Sequence, residues 1–398
     1  MKNLLTVREY QKIFRSDCPK FDELVKFAEN FKPADANDVL NFVRLGFERG
    51  GYFVQLKNYV GVIRLPSGFQ IEILPKIYGF NGDEKILRGL VTKMLRTLKN
   101  FSGKKFLDAN IDASRMNLYE IFIRNYLEMI LELVKRGLKS SYTACEENLN
   151  FFKGKLLVGQ HVRKNFVHRE KFFVAFDEYN IDRAEHRLIK ATLEKLLRTT
   201  GDRENFRLAG RLTADFDSIN ASTNFAKDFS AVKIDRQNRD YENIMAWTKI
   251  FLANKSFTTF AGANEAAAIL FPMEKLFEAY VAHHVRKIFC DKFTVAIQAR
   301  KKFLFDEPKS FLLMPDILLE GDEKIIMDTK WKREVSQADM YQMFAYSKKY
   351  AATKIFLLCP PAESENLLYR TENLAVKIFH VDLFDIGESI KTLRSLLK

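Results

Sequence analysis

The sequence predicts a multidomain protein of mixed α+β and α/β class, with a small mixed α+β module first, a largely helical middle region, and an α/β/α sandwich toward the C-terminus. Three observations carry this reading. Residues 58–75 hold two short apolar segments around a Pro-Ser-Gly turn, which is hairpin chemistry. Residues 86–98 and 118–137 place apolar side chains at helical spacing. From 271 to 397, helical and strand patterns alternate in the manner of a layered α/β domain. At 398 residues the chain is long for one domain, and the composition shifts suggest boundaries at 1–80, 81–260 and 261–398.

Within 1–80, a short strand is expected at 4–7 and helical segments at 9–14, 21–31 and 36–47, then strands at 52–57, 60–64 and 69–74. Gln70 and Glu72 alternate with Phe69, Ile71 and Ile73, the pattern of a half-exposed sheet. The helices at 86–98 and 118–137 flank a basic loop at 99–106. Residues 150–180 read as strand-like and basic, with Lys153, Lys155, Arg163, Lys164 and Arg169 interleaved with aromatics. That stretch suits a phosphate-backbone or partner-docking surface, and equally a solvated edge hairpin guarded by lysines. A helix follows at 181–199, and further helices fill 205–255. Small and polar residues break the pattern at 256–270. Beyond them come helix 271–290, strands 293–305, 311–319 and 323–331, helix 336–350, strands 353–359 and 375–381, and helix 383–397.

Composition narrows the function classes. Hydrophobic residues make up 47% and charged residues 29%, values of a folded protein with no disordered tract. No apolar run spans a bilayer, and the first residues lack a signal-peptide core, so a cytoplasmic protein without membrane partners is expected. The four cysteines are widely spaced and the six histidines scattered, which excludes a disulfide framework or a zinc pattern. The net charge of +13 favours a polyanionic partner.

The chemistry concentrates in 311–331, FLLMPDILLEGDEKIIMDTKW. Two apolar strands meet at a Gly-Asp turn, and each carries an acid its surroundings do not explain, Asp316 and Asp328. Lys330 lies two residues past Asp328, so both project from one side of the strand while Met327, Thr329 and Trp331 take the other. Burying such charges is unfavourable unless they pair or hold a metal. The preceding helix offers Glu274 and Glu278, one turn apart on one face; Glu278 is taken as the acid that supports the strand pair, and Glu274 as a neighbour of the site, a DNA contact or a solvated helix residue. The following helix presents Gln342 and Tyr346, as neighbours of the site, as DNA contacts, or as surface residues capping the sheet. Oxygen donors without Cys or His favour Mg²⁺, with Mn²⁺ as the substitute, over zinc. Asp316 and Asp328 would be the ligands, with the backbone carbonyl of Thr329. Lys330 would orient or help deprotonate the attacking water and steady charge on a phosphate.

These residues carry a family resemblance. PDILL with IMDTKWK, preceded by MEKLFEAYV and followed by DMYQMFAY, resembles the PD-(D/E)xK nuclease domain of the McrC family, the endonuclease subunit of McrBC-type restriction systems. NYVGVIRLPSGFQIEILPKI at 58–77 is similar to the N-terminal sheet of that family. FFKGKLLVGQHVRKN and FDEYNIDRAEHRLIKATL resemble its middle region, with His186 standing where the family pattern has asparagine. The resemblance implies a restriction-endonuclease-like sandwich and a phage-defence role. It also implies a hexameric AAA+ GTPase partner of the McrB type, which recognises modified double-stranded DNA and whose GTP hydrolysis this chain stimulates. Two other classes remain at this stage, a non-cleaving activator or scaffold of the ring and a stand-alone repair-type nuclease. No G-x-x-x-x-G-K-[ST] motif is present, so this sequence supplies no NTPase motor of its own.

Overall fold

Gly61 stands where β5 (Tyr59–Arg64) lies against β10 (Ala267–Pro272): a Cβ there would fall 2.0 Å from the Ile269 carbonyl oxygen. Only glycine admits that approach, and its φ of +137° is one that other residues rarely adopt. The computed structural model describes residues 3–30, 42–48, 51–98, 116–236, 238–253, 267–299, 302–332, 334–363 and 366–397. They fall into two compact units, one of 1–119 with 254–398 and one of 120–253.

In the first unit, β1 (Leu4–Arg8) runs parallel to β6 (Gln70–Leu74), β6 pairs antiparallel with β5, and β5 pairs antiparallel with β10. A second, antiparallel sheet joins β2 (Lys12–Phe14), β4 (Gly51–Leu56) and β3 (Val43–Glu48), with α1 (Phe21–Asn30) packed on β3 and β4. Leu24, Val54, Leu56, Tyr59, Ile63, Ile71 and Leu270 form their shared core. The hairpin expected at 60–74 forms, closed by Gly68 N–H on Leu65 O. Two expectations are corrected. Residues 12–14 are a strand, not helix, and 43–48 pair as a strand where helix was expected; 36–41 lie outside the described residues, as does the basic loop at 99–106. The sheet is also not half-exposed, because Glu72 is fully buried. Arg88 of α2 (Glu84–Leu95) covers it, its Nε and Nη2 donating to the carboxylate at 2.7–3.0 Å, and Leu118 N–H donates at 2.8 Å. A paired carboxylate can thus sit where alternation alone implies solvent.

The second unit holds most of α3 (Leu118–Arg136), then β7 (Ser141–Leu149), β8 (Lys155–Leu156), α4 (Val158–Lys164) and β9 (Phe172–Asn180). Helices α5 (Ala184–Thr199), α6 (Arg203–Asp215), α7 (Phe225–Ala231) and α8 (Tyr241–Ala253) complete it, with α5 packed on the other three. β7 and β9 form a long antiparallel ladder with β8 on the far edge of β9. The stretch 150–180 is therefore only partly strand, since 158–164 are helical; so short an apolar run cannot be assigned by period. His186 is fully buried. Its Nδ1 donates to Ile181 O at 2.6 Å, which leaves Nε2 to accept from the Tyr241 hydroxyl at 2.6 Å. Burial lowers its pKa, so the ring stays neutral as a structural tie between the start of α5 and α8.

The remainder of the first unit begins with β10, a strand within the stretch that the sequence shows as a break; 254–266 lie outside the described residues. Pro272 ends β10 and α9 (Met273–Phe289) starts at once, with Met273 N–H on Asn58 O at 2.9 Å. A six-stranded mixed sheet follows in the order β11 (Thr294–Ile297), β14 (Ile317–Glu320), β15 (Lys324–Thr329), β16 (Lys354–Cys359), β18 (Leu374–His380), β17 (Leu368–Thr371). β15, β16 and β18 run parallel. α9 packs on β11 and β15, and its partner α11 (Ile386–Ser395) packs on α9. α10 (Gln337–Tyr350) packs on β15, β16 and β18, and its Met343, Tyr346 and Tyr350 share a core with Leu318, Ile326, Ile355 and Leu357. Ile326 shares the strand face of Asp328 and Lys330, so those two side chains look toward α10, while Trp331 meets Phe277 of α9. The strand expected at 311–319 is two pieces: β13 (Lys309–Leu313) pairs with β12 (Lys302–Asp306) as a separate hairpin, and β14 enters the sheet. Asp316 sits at the joint. Among the described residues no helix is long and apolar enough to cross a membrane.

Candidate active site

β15 is apolar on both faces through Ile325, Ile326 and Met327, and these residues are buried. Asp328, next in line, is 1% exposed. Lys330, just past the strand, folds back along the same face so that its Nζ lies 2.8 Å from Asp328 Oδ2. The ammonium also donates to Gln342 Oε1 at 3.0 Å. Gln342 Nε2 in turn donates to the Tyr346 hydroxyl at 2.8 Å, and that hydroxyl donates to Met314 O at 3.1 Å. The i, i+4 spacing of Gln342 and Tyr346 thus builds a chain of bonds from Lys330 back to the segment that carries Asp316. Ser336 caps α10 in a reciprocal box with Asp339, and Lys332 pairs with that Asp339 carboxylate, which fixes the short link between Lys330 and the helix.

Pro315 and Asp316 close the gap between β13 and β14. Asp316 Oδ2 accepts from both the N–H and the hydroxyl of Thr329, at 2.7 and 2.6 Å, so the two strands are tied at the level of the acids. Glu278 of α9 is half-buried and accepts from Gln298 Nε2 at 2.8 Å, while Gln298 N–H donates to Asp316 O at 2.8 Å.

The electrostatics show excess negative charge. Burial raises the Asp316 pKa, opposed by its two bonds from Thr329 and by Lys330. Burial and then the Asp316 charge raise that of Asp328, opposed by Lys330. Glu278 is raised by burial and by Asp316 as well. Burial pulls Lys330 down, but Asp328 and Asp316 outweigh it and hold the lysine above its ordinary range. Three carboxyls therefore share one ammonium, and Asp328 Oδ2, in ion-pair range of Lys330, meets no donor at a hydrogen-bonding angle. An excess of carboxylate around one ammonium, with Asp328 buried beside a second acid, fits a hard divalent cation. Among the described residues no three Asp, Glu, His or Cys side chains form a metal cluster by themselves, so backbone oxygen and water would complete the shell, as is usual for Mg²⁺.

The structure thus brings together Asp316, Asp328, Lys330, Thr329, Glu278, Gln342 and Tyr346. It leaves Glu274 out: that residue is exposed on the first turn of α9, and its charge acts on Tyr10. Lys153, Lys155, Arg163, Lys164 and Arg169 belong to the other unit and are all exposed. There Lys153 stands 3.9 Å over the Phe176 ring and Lys164 4.2 Å over Phe173, among exposed Phe151, Phe152, Phe166 and Val167. Gln298 escapes sequence reasoning as a site residue, since a lone glutamine at a strand end carries no chemical pattern; Asp339 shares the helix face of Gln342 and Tyr346, but its role in the cap of α10 and the pair with Lys332 comes from the structure.

Fold and site together define a multidomain α/β protein with a buried carboxylate–lysine cluster on a mixed sheet. Residues 54–360 match the family described as McrBC 5-methylcytosine restriction system component. The chain belongs to that family. It is 24% identical over 303 residues to the type IV methyl-directed restriction enzyme EcoKMcrBC of Escherichia coli K12, covering 70% of this chain and 85% of that protein. A chain from the half-complex of Thermococcus gammatolerans McrB AAA+ hexamers with bound McrC matches at a TM-score of 0.72 and 19% identity, over 99% of this chain and 100% of that one. A chain of the cryo-EM structure of the T. gammatolerans McrBC complex matches at 0.52 and 22%, over 70% and 85% of the two chains.

Proposed function

We propose that this chain is the Mg²⁺-dependent DNA endonuclease subunit of a modification-dependent restriction complex, with a PD-(D/E)xK nuclease domain at 261–398. The observation that carries this reading is the convergence of Asp316, Asp328 and Lys330 at the ends of two adjacent strands into one cluster, with Asp328 buried and the other two part-buried, that has more carboxyl than ammonium. Asp316 and Asp328, with the Thr329 carbonyl, are the proposed ligands of Mg²⁺ or Mn²⁺. When bound, such an ion supplies Lewis-acid polarisation of a phosphate and a lowered water pKa.

The chain's own residues perform the rest. Lys330, kept charged by Asp328 and Asp316, is better suited to orient the attacking water and steady phosphate charge than to take a proton from it. Gln342, locked by Tyr346, aims the ammonium. Thr329 holds Asp316 at a fixed angle through two donors, and Glu278 adds a third acid beside Asp316.

The partner follows from likeness. The archaeal structure is described as McrB AAA+ hexamers with bound McrC, and we assign this chain a corresponding AAA+ GTPase partner, docked through 1–80 and 81–260, in the cytoplasm. The exposed aromatic and basic residues at 150–170 suit partner docking or a phosphate backbone. The test is cleavage of methylated and unmethylated duplex DNA by the reconstituted complex with GTP, in Mg²⁺ or in chelator. Cleavage confined to methylated DNA and Mg²⁺ is expected. GTPase stimulation with no cleavage under any condition would instead identify a non-cleaving activator.

A further inference from the structure

Gln298 ends β11 with φ at +49°, the left-handed region, which costs a side chain other than Gly or Asn about 1 kcal/mol or more. The residue is exposed, so packing of its side chain does not impose that backbone. Two bonds hold it. Its N–H donates to Asp316 O at 2.8 Å, and the carbonyl of the next residue, Ala299, accepts from the Tyr350 hydroxyl at 2.8 Å. The turn carries its amide to Glu278, which accepts from Gln298 Nε2 at 2.8 Å. One residue thus grips the backbone of the first acid and the side chain of the third.

We infer that Gln298 is a positioning residue that holds Glu278 beside Asp316, so that the left-handed turn at the end of β11 completes the metal-binding face. This rests on the metal-dependent nuclease reading. Without the amide, Glu278 keeps its place on α9 but loses the hydrogen bond that orients its carboxylate, and swings among rotamers. Partners that orient a ligand from outside the coordination shell are worth about 10- to 100-fold in affinity or activity; exposure of Gln298 places it at the lower end.

Gln298→Gly separates the side chain from the turn, because glycine adopts the left-handed backbone freely and keeps the N–H on Asp316. Binding of Mn²⁺ alone to the full chain, followed by titration calorimetry, is compared for wild type, Gln298→Gly, Glu278→Gln, the double variant and Asp328→Ala. Gln298→Gly is expected to weaken Mn²⁺ binding about tenfold with an unfolding midpoint no lower than wild type, since glycine relieves the backbone strain, and to add nothing in the Glu278→Gln background. Wild-type affinity in folded Gln298→Gly overturns the inference, as does an undiminished loss in the double variant. If Asp328→Ala abolishes binding in the same series, that failure concerns Gln298 alone. If wild type takes up no Mn²⁺, or Asp328→Ala binds as wild type does, the metal reading fails and the inference with it.

Discussion

Gln342 Oε1 accepts a 3.0 Å hydrogen bond from Lys330 Nζ, so the lysine is held between a helix amide and the Asp328 carboxylate rather than by the carboxylate alone. The amide in turn is fixed by Tyr346. Gln342→Ala frees the ammonium to swing on its long stem. Cleavage by the assembled complex is expected to fall about tenfold, the scale of one charge-assisted hydrogen bond, with KM for DNA unchanged. An equal loss in KM would mean that Gln342 contacts DNA instead.

Metal binding should release protons. Burial raises the pKa of Asp316, Asp328 and Glu278 above the ordinary carboxyl range, and the Asp316 charge adds to it at Asp328 and Glu278; a bound cation requires the ionised forms. Mn²⁺ affinity is expected to rise with pH from 5 to 8. Calorimetry in buffers of different ionisation enthalpy checks it through a net proton release near neutrality.

Glu9 supplies a stability test away from the site. It is 1% exposed, takes Lys76 N–H at 3.3 Å, and burial pushes its pKa up to about 8. The folded chain therefore binds a proton more tightly than the unfolded one, whose carboxyl titrates near 4.5. The sign follows: the protonated Glu9 is accommodated below that value, and stability is lost as pH rises from about 4.5 through 8. Glu9→Gln removes this slope, so its stability relative to wild type should increase by a few kcal/mol between pH 5 and pH 9, read by chemical denaturation.

Glu72 tests the packing of the N-terminal sheet. Glu72→Ala takes the acceptor from the Leu118 N–H and leaves Arg88 with the more exposed Glu84 as its remaining ion-pair partner. Loss of one member of a buried ion pair costs about 3–5 kcal/mol, which equilibrium unfolding would show. A cost under about 1 kcal/mol would mean that solvent takes the place of the carboxylate.

Much of the site was legible because strand geometry is simple. Two-residue alternation puts Asp328 and Lys330 on one side, and helical spacing brings Gln342 and Tyr346 together, with no knowledge of the fold. Periodicity could not show the break at Met314–Asp316, since an apolar run reads the same whether it is one strand or two. Helical spacing puts Glu274 and Glu278 on one face, and what sets Glu278 apart is its bond from Gln298 and its nearness to Asp316. Alternation alone places Glu72 in solvent, because the Arg88 that covers it comes from a different element. β10 escaped because AAAIL suits helix as well as strand, and its partner β5 is two hundred residues away. Gln298 escaped because its meaning lies in a backbone angle.

The most direct measurement is DNA cleavage by the complex reassembled with Asp328→Ala, read beside GTP hydrolysis in the same sample. The account predicts that cleavage disappears while GTPase stimulation stays at the wild-type level, since Asp328 is buried beside Lys330 in the proposed nuclease domain. Cleavage at the wild-type rate would contradict it.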